Sequence, residues 1–244
     1  PLDTGIKPRL HKHLLWTVIL TLSHALSDRS VETYLLNALV GSAAVGFFAI
    51  AASLTKGGMD LLASGLSTVL MPMMAHAFGE GGPARVNVIM ASAIRYFMFI
   101  GLLMAGVGTL IAAPAVALMY GASYEQVVTP LRVMILVGGL TMTTAAFNAL
   151  LSTTDNQHLR VVFAVLSIGV TFAFAIFLVP RYGLVGAVAS HAASTTILFV
   201  LMAMGITRVM RVRLPWRELL LRIGCALFAA LVALVPVLLA PGNV

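Results

Sequence analysis

The stretch YFMFIGLLMAGVGTLIAAPAVALM, from Tyr96 to Met119, runs for 24 residues without a charge. A helix needs about 20 mostly apolar residues to cross the hydrocarbon core of a bilayer. A transmembrane barrel strand needs only about 10, and they alternate between apolar and polar. This run is too long and too uniformly apolar for a strand, so it reads as a spanning helix. Six other runs read the same way, roughly Leu14–Leu35, Val45–Ala75, Val127–Leu151, Val161–Val179, Val185–Ile206 and Leu219–Ala240. Turn chemistry separates them at Gly41-Ser42, Gly79 to Pro83, Tyr120-Gly121, Asp155-Asn156, Pro180 to Gly183 and Leu214-Pro215. No long soluble segment lies between any two spans. The expectation is an all-α, polytopic membrane helix bundle of about seven transmembrane helices.

Composition agrees. Of the 244 residues, 60% are hydrophobic and 9% charged, against about 45–50% and about 25% in a soluble domain. So few charges cannot build a water-facing surface, and a soluble globular protein is excluded. Disulfide scaffolds, fibrous repeats and disordered tails are excluded by the apolar runs. Cys225 is alone, which rules out an intrachain disulfide or a cysteine metal cluster. His11 and His13 sit in a basic loop with no acidic partner, so no metal site and no cofactor is expected. The chain starts at Pro1 in a basic, loop-like segment, with neither an initiator Met nor a cleavable signal peptide. We read this as a fragment that has lost its N-terminal part.

The net charge of +7 is read by position in a membrane protein, not as nucleic-acid affinity. Alternate loops hold Lys7, Arg9 and Lys12, then Arg85 and Arg95, then Arg160, then Arg208, Arg211, Arg213, Arg217 and Arg222. Those are 11 basic residues on one face, and the other face has only Arg181. The positive-inside rule puts the rich face, and with it the N-terminus, in the cytoplasm. The expected localisation is a bacterial cytoplasmic (inner) membrane. Most of these arginines serve topology and touch lipid phosphates.

Arg29, Lys56 and Arg132 fall inside spans. A charge at bilayer depth costs at least about 2.5–3.5 kcal/mol on insertion scales, so it needs a pair, a wet cavity or a function. In the first span Thr17, Thr21, His24, Asp28 and Glu32 recur at intervals of four, three, four and four, on one helical face. Two readings remain for its end: a functional polar face, or Asp28, Arg29 and Glu32 hydrated at the outer interface. In the second span Lys56, Asp60, Ser64 and Thr68 share a face. Either Lys56 and Asp60 neutralise each other along the helix, or they line a cavity that meets an anion or a proton. The fourth span carries Arg132, then Thr141, Thr143, Thr144 and Asn148, and the sixth carries His191 with Ser190, Ser194 and Thr195. Such hydroxyls often bridge helices, and a histidine can carry a proton near neutral pH. If these faces converge, they enclose a hydrated cavity of mixed charge suited to a phosphate- or sugar-bearing head group.

Three stretches resemble the polysaccharide flippases of the multidrug/oligosaccharidyl-lipid/polysaccharide exporter superfamily. The first is Ser27-Asp28-Arg29 through Gly41 to Val45-Gly46-Phe47-Phe48-Ala49-Ile50-Ala51. The second is Leu118-Met119-Tyr120-Gly121 with Tyr124. The third is Pro180-Arg181-Tyr182-Gly183-Leu184-Val185-Gly186-Ala187. Their order and spacing match the family over nearly the whole chain. Members have 12–14 spans in two bundles, so the resemblance implies the C-terminal bundle of such a flippase. Residues 1–218 would be its six-helix bundle, and 219–244 an additional span with a short outer tail. The partners implied are the missing N-terminal bundle, membrane lipids and a lipid-linked oligosaccharide, with no nucleic acid.

The function implied is transport, not catalysis. A polyprenyl-pyrophosphate-linked repeat unit would cross the cytoplasmic membrane for lipopolysaccharide O-antigen, capsule or exopolysaccharide biosynthesis. Arg29, Lys56 and Arg132 would bind substrate. His24, Asp28, Glu32, Asp60 and His191 would couple an ion or proton. A multidrug/cation antiporter of the same superfamily is the nearest alternative, but three basic against three acidic in-membrane charges suit a cationic drug poorly. A membrane-embedded glycosyl- or acyltransferase would need a longer outer loop. A seven-helix photoreceptor would have the opposite orientation and its lysine on the last span.

Overall fold

The computed structural model describes residues 11, 14–23, 31–153, 156–210, 217, 220, 221 and 224. Among the described residues every regular element is helical. Helices α1 (Leu14–Ser23) and α2 (Val31–Leu39) cover two parts of the first expected span. Helix α3 (Ser42–Tyr120) has two long arms, Ser42–Gly82 and Ala84–Tyr120. A 3-10 turn, Ala122–Val127, leads into α4 (Val128–Thr153), and α5 (Gln157–Met210) follows. The seventh expected span, Leu219–Ala240, falls almost wholly outside the described residues. The other six have helical counterparts at the expected places.

The breaks are where turn chemistry puts them. Gly82 (φ 60, ψ −155) interrupts α3, and Gly183 (φ 54, ψ −126) interrupts α5. Both backbones lie where a side chain is strained and glycine is not. A Cβ on Gly186 would collide with the Leu178 carbonyl, so the chain doubles back sharply there. Farther along, the Phe163 ring of the first arm fills the place a Cβ on Gly205 would take, 2.6 Å away. The arms of α5 therefore run side by side in opposite directions.

Helix length exceeds what hydropathy shows. The apolar run ends at Ala75, yet the helix continues to Gly82; the next run begins at Tyr96, yet its helix begins at Ala84. At 1.5 Å per residue the 41-residue first arm is about 61 Å long, roughly twice the hydrocarbon core. The excess carries exposed polar side chains at the bend, while Ala77, Val86 and Met90 on its inner face stay buried. Around Gly82, Glu80 accepts from His76 at 3.1 Å and pairs with Arg85 across the bend. These helices leave the membrane and turn in water.

Packing is organised in two apolar cores, one above the other. One gathers Leu36, Phe48, Val116, Leu131, Met134 and Val179 near the turns at Gly41, Gly121 and Gly183. The other gathers Met74, Met90, Phe97, Phe147, Leu150 and Phe199 toward the opposite end. Between them α3 and α4 meet backbone to backbone at Gly101 and Gly139: a Cβ on either would strike the carbonyl of the other. Small residues at such a crossing let helices approach closely enough for dispersion to hold them in lipid. Large apolar side chains such as Leu110, Leu118, Phe177 and Val185 remain exposed on the outside, where acyl chains would cover them.

Candidate transport site

Helix α2 turns one face inward. Glu32 and Leu36, one turn apart, are both buried, and α2 packs chiefly on α5. The Glu32 side chain is 1% exposed, and neither carboxylate oxygen has a hydrogen-bond partner among the described residues. Its neighbour is His191, whose Nδ1 lies 3.7 Å from Oε1. That is ion-pair range but beyond hydrogen-bond length. Phe48 of α3 stands edge-on to the imidazole, with ring centroids 6.4 Å apart. The local sequence explains the meeting. Val40 touches the Gly183 turn, within 3.6 Å of where a Cβ there would lie. Glu32 lies eight residues from Val40 and His191 eight from Gly183, each about 12 Å down its helix.

Glu32 therefore does not sit hydrated at the outer interface, as one of the two sequence readings had it. An ionised carboxylate buried without a partner costs several kcal/mol. The nearest charged or titratable neighbour of Glu32 among the described residues is a half-exposed histidine.

The second feature is on α3. Lys56, Asp60, Ser64 and Thr68 recur every four residues and are all exposed. Lys56 lies 15 residues beyond Gly41, about 22 Å along the helix and well within bilayer depth. Among the described residues Asp60 makes no ion pair. Thr68 donates to the Ser64 carbonyl at 2.8 Å and Ser64 to that of Leu61 at 3.1 Å. These hydroxyls thus satisfy their own protons on the helix and keep oxygen lone pairs outward. Gly57, Gly58 and Gly65 nearby have nothing within 4 Å of a would-be Cβ. The face is open, polar and small-residued.

Arg132 is half-buried near the start of α4, beside the buried Leu131, and its Nε is buried without a partner among the described residues. His24, Asp28 and Arg29 lie outside the described residues. Among the described candidates, Glu32 and His191 come within 4 Å of each other, while Lys56 and Asp60 occupy the open face of α3. Thr143, expected as interhelical glue, is fully buried with an unpartnered hydroxyl. No group of three or more His, Cys, Asp or Glu side chains among the described residues could hold a metal ion. Sequence reasoning missed the Gly101–Gly139 contact; the pair Gly138-Gly139 was its available signal.

The three motif stretches meet at one end of the bundle. Phe47 packs edge-on against Tyr124, at 6.2 Å, and Tyr124 lies 5.7 Å from Tyr120. Aromatic clusters of this kind mark the membrane–water interface. The motif residue Phe48 is also the one that abuts His191. The bundle thus has a buried acidic group beside the motif end and an open charged face at bilayer depth.

No curated protein and no solved structure matches the chain. The family model described as lipid II flippase MurJ matches residues 4–242. Membership sets aside the glycosyl- and acyltransferase alternative, because the family consists of transporters. Nearly the whole chain is covered, and this multi-pass membrane protein belongs to the lipid II flippase MurJ family.

Proposed function

We propose that the chain forms one bundle of a flippase that moves a polyprenyl-pyrophosphate-linked saccharide across the cytoplasmic membrane, with its N-terminus in the cytoplasm. Residues 1–218 make the six-helix bundle and 219–244 an additional span. The observation that carries this is the exposed stripe of Lys56, Asp60, Ser64 and Thr68 at bilayer depth. Acyl chains cannot solvate it, so it faces a hydrated path shared with a second bundle. Alternating access works by rocking two such bundles about one site.

In this reading Lys56, Arg132 and Arg29 meet the pyrophosphate or the sugars. Asp60, Asp28 and His24 exchange the coupling ion or proton, and so does the Glu32–His191 pair. The family description favours lipid II, the peptidoglycan precursor, as substrate. A repeat unit of O-antigen, capsule or exopolysaccharide is the second reading, favoured by the motif resemblance at the outer turns. Both share the polyprenyl pyrophosphate that the basic residues would recognise.

Two complementation backgrounds separate the substrates: cells depleted of their lipid II flippase, and cells lacking an O-antigen-unit flippase. The protein is expressed in each as its natural full-length chain. Rescue of the first supports lipid II; rescue of the second alone moves the assignment to polysaccharide. Lys56→Ala and Asp60→Asn should each lower rescue at least tenfold at equal expression. Undiminished rescue by both variants would sink the role given to the stripe.

A further inference from the structure

At the end of the bundle away from Glu32, helices α1, α4 and both arms of α5 line a half-open cavity of about 110 Å³. That is well above the ~30 Å³ one water occupies in the liquid. Its polar lining is Ser23, Thr144, Asn148, Arg160 and Ser167, with Phe163 in the apolar wall. None of its described lining residues is acidic. The guanidinium Nε of Arg160 is buried there with no hydrogen-bond partner among the described residues. Among the described residues, no carboxylate comes within ion-pair distance of Arg160.

A guanidinium offers five N–H donors in a planar fork that matches a phosphate. Arg160 is half-buried, and its buried Nε–H lacks an acceptor, which a tetrahedral oxyanion in the cavity would supply. Asn148 adds an amide donor, and Ser167 a hydroxyl. Ser23 and Thr144 direct their own hydroxyls to Ile19 and Thr141 carbonyls, at 2.9 Å and 2.7 Å. Arg160 also sits in the first turn of α5, where the helix dipole favours negative charge. The site is four residues into that helix, at head-group depth rather than mid-membrane. Beside it Val162, Val165 and Leu166 are exposed, an apolar strip on which acyl chains would lie.

We infer that this cavity binds a phosphate-type oxyanion through Arg160, Asn148 and Ser167, and that the bound group ties α1 to α4 and α5. The same chemistry could be presented by an anionic phospholipid head group or by free phosphate, and the test separates the two. The site lies outside the stripe and the Glu32–His191 pair, so it does not depend on the transport reading.

The full chain is purified, delipidated in detergent, and melted with dioleoylphosphatidylglycerol or with inorganic phosphate at fixed ionic strength. The wild type should gain about 3 °C or more with at least one probe. A gain with the lipid alone identifies the head group, and a gain with phosphate alone the free anion. Arg160→Gln should abolish the gain, and Asn148→Leu should reduce it without removing the charge. Arg208→Gln, an exposed arginine outside this cavity, should leave it unchanged. If Arg160→Gln lowers expression, Asn148→Leu still decides. The inference falls if neither probe shifts the wild type, or if Arg160→Gln and Asn148→Leu both keep the full gain. It also falls if binding appears only after Asp155→Asn, because Asp155 would then be the partner of the guanidinium.

Discussion

Gly139→Ala probes the tightest contact in the bundle. The new methyl would lie 2.8 Å from the Gly101 carbonyl oxygen and 3.1 Å from the Ala105 Cβ. Ordinary contact begins near 3.4 Å, so α4 must retreat from α3 by about 0.6 Å. A gap of roughly 0.5–1 Å forfeits a quarter to a half of each dispersion contact along the interface. Overpacking of this kind costs about 1–3 kcal/mol. Alanine recovers up to about 1 kcal/mol through helix propensity, and that gain must be subtracted. Gly106→Ala supplies the control. It lies on the same arm of α3 with nothing within 4 Å of the added methyl, so it collects the propensity gain alone. The two variants should therefore differ by about 1–3 kcal/mol, which is about 2–12 °C in Tm for a chain of this size. Thermal unfolding in one detergent, followed by tryptophan fluorescence, measures it. Equal melting temperatures would refute the reasoning, because the backbone approach would then not be what holds the helices.

Three further outcomes follow from the geometry. Glu32→Gln keeps the shape of a buried side chain and removes its charge. It should leave Tm unchanged or raised while cutting flipping at least tenfold; a clearly lowered Tm would mean that the carboxylate has a partner after all. In a Cys225→Ser background, Asp60→Cys, Ser64→Cys and Thr68→Cys should react with a membrane-impermeant maleimide, and the buried Met59→Cys should not; similar labelling at all four positions would break the face assignment. Gly183→Val forces a β-branched residue into φ 54 against Val40, which should cost about 1–2 kcal/mol and lower Tm by about 2–8 °C, whereas an unchanged melt would show that the bend relaxes freely.

Much of the fold could be read from the sequence because lipid forces one solution. Apolar runs of spanning length must be helices, and glycine-bearing breaks must be turns, so Gly41, Gly121 and Gly183 marked the boundaries correctly. The helix ends near Gly82 were less legible. Hydropathy measures where a helix meets lipid, and His76, Glu80 and Arg85 continue the helix in water. The stripe Lys56–Asp60–Ser64–Thr68 was visible because helical spacing alone fixes a common face. The burial of Glu32 was not, because it depends on how α2 docks on α5, and no residue near Glu32 in sequence announces that contact. The cavity at Arg160 was hidden for a related reason. A lone loop-end arginine looks topological until Ser23, Asn148 and Ser167, far apart in the chain, are seen around it.

The crossing at Gly101 and Gly139, with a separate apolar core on either side, has a mechanical consequence. Backbone contact fixes that point more firmly than side chains could, since side chains can change rotamer and backbone cannot. The helix segments above and below it then act as the two arms of a lever. With each arm about 20 Å long, a tilt of roughly 5° at the crossing moves a helix end by about 2 Å. One core can loosen by that amount while the other tightens, so the total packing changes little. A bundle balanced on such a fulcrum trades opening at one membrane face for closure at the other.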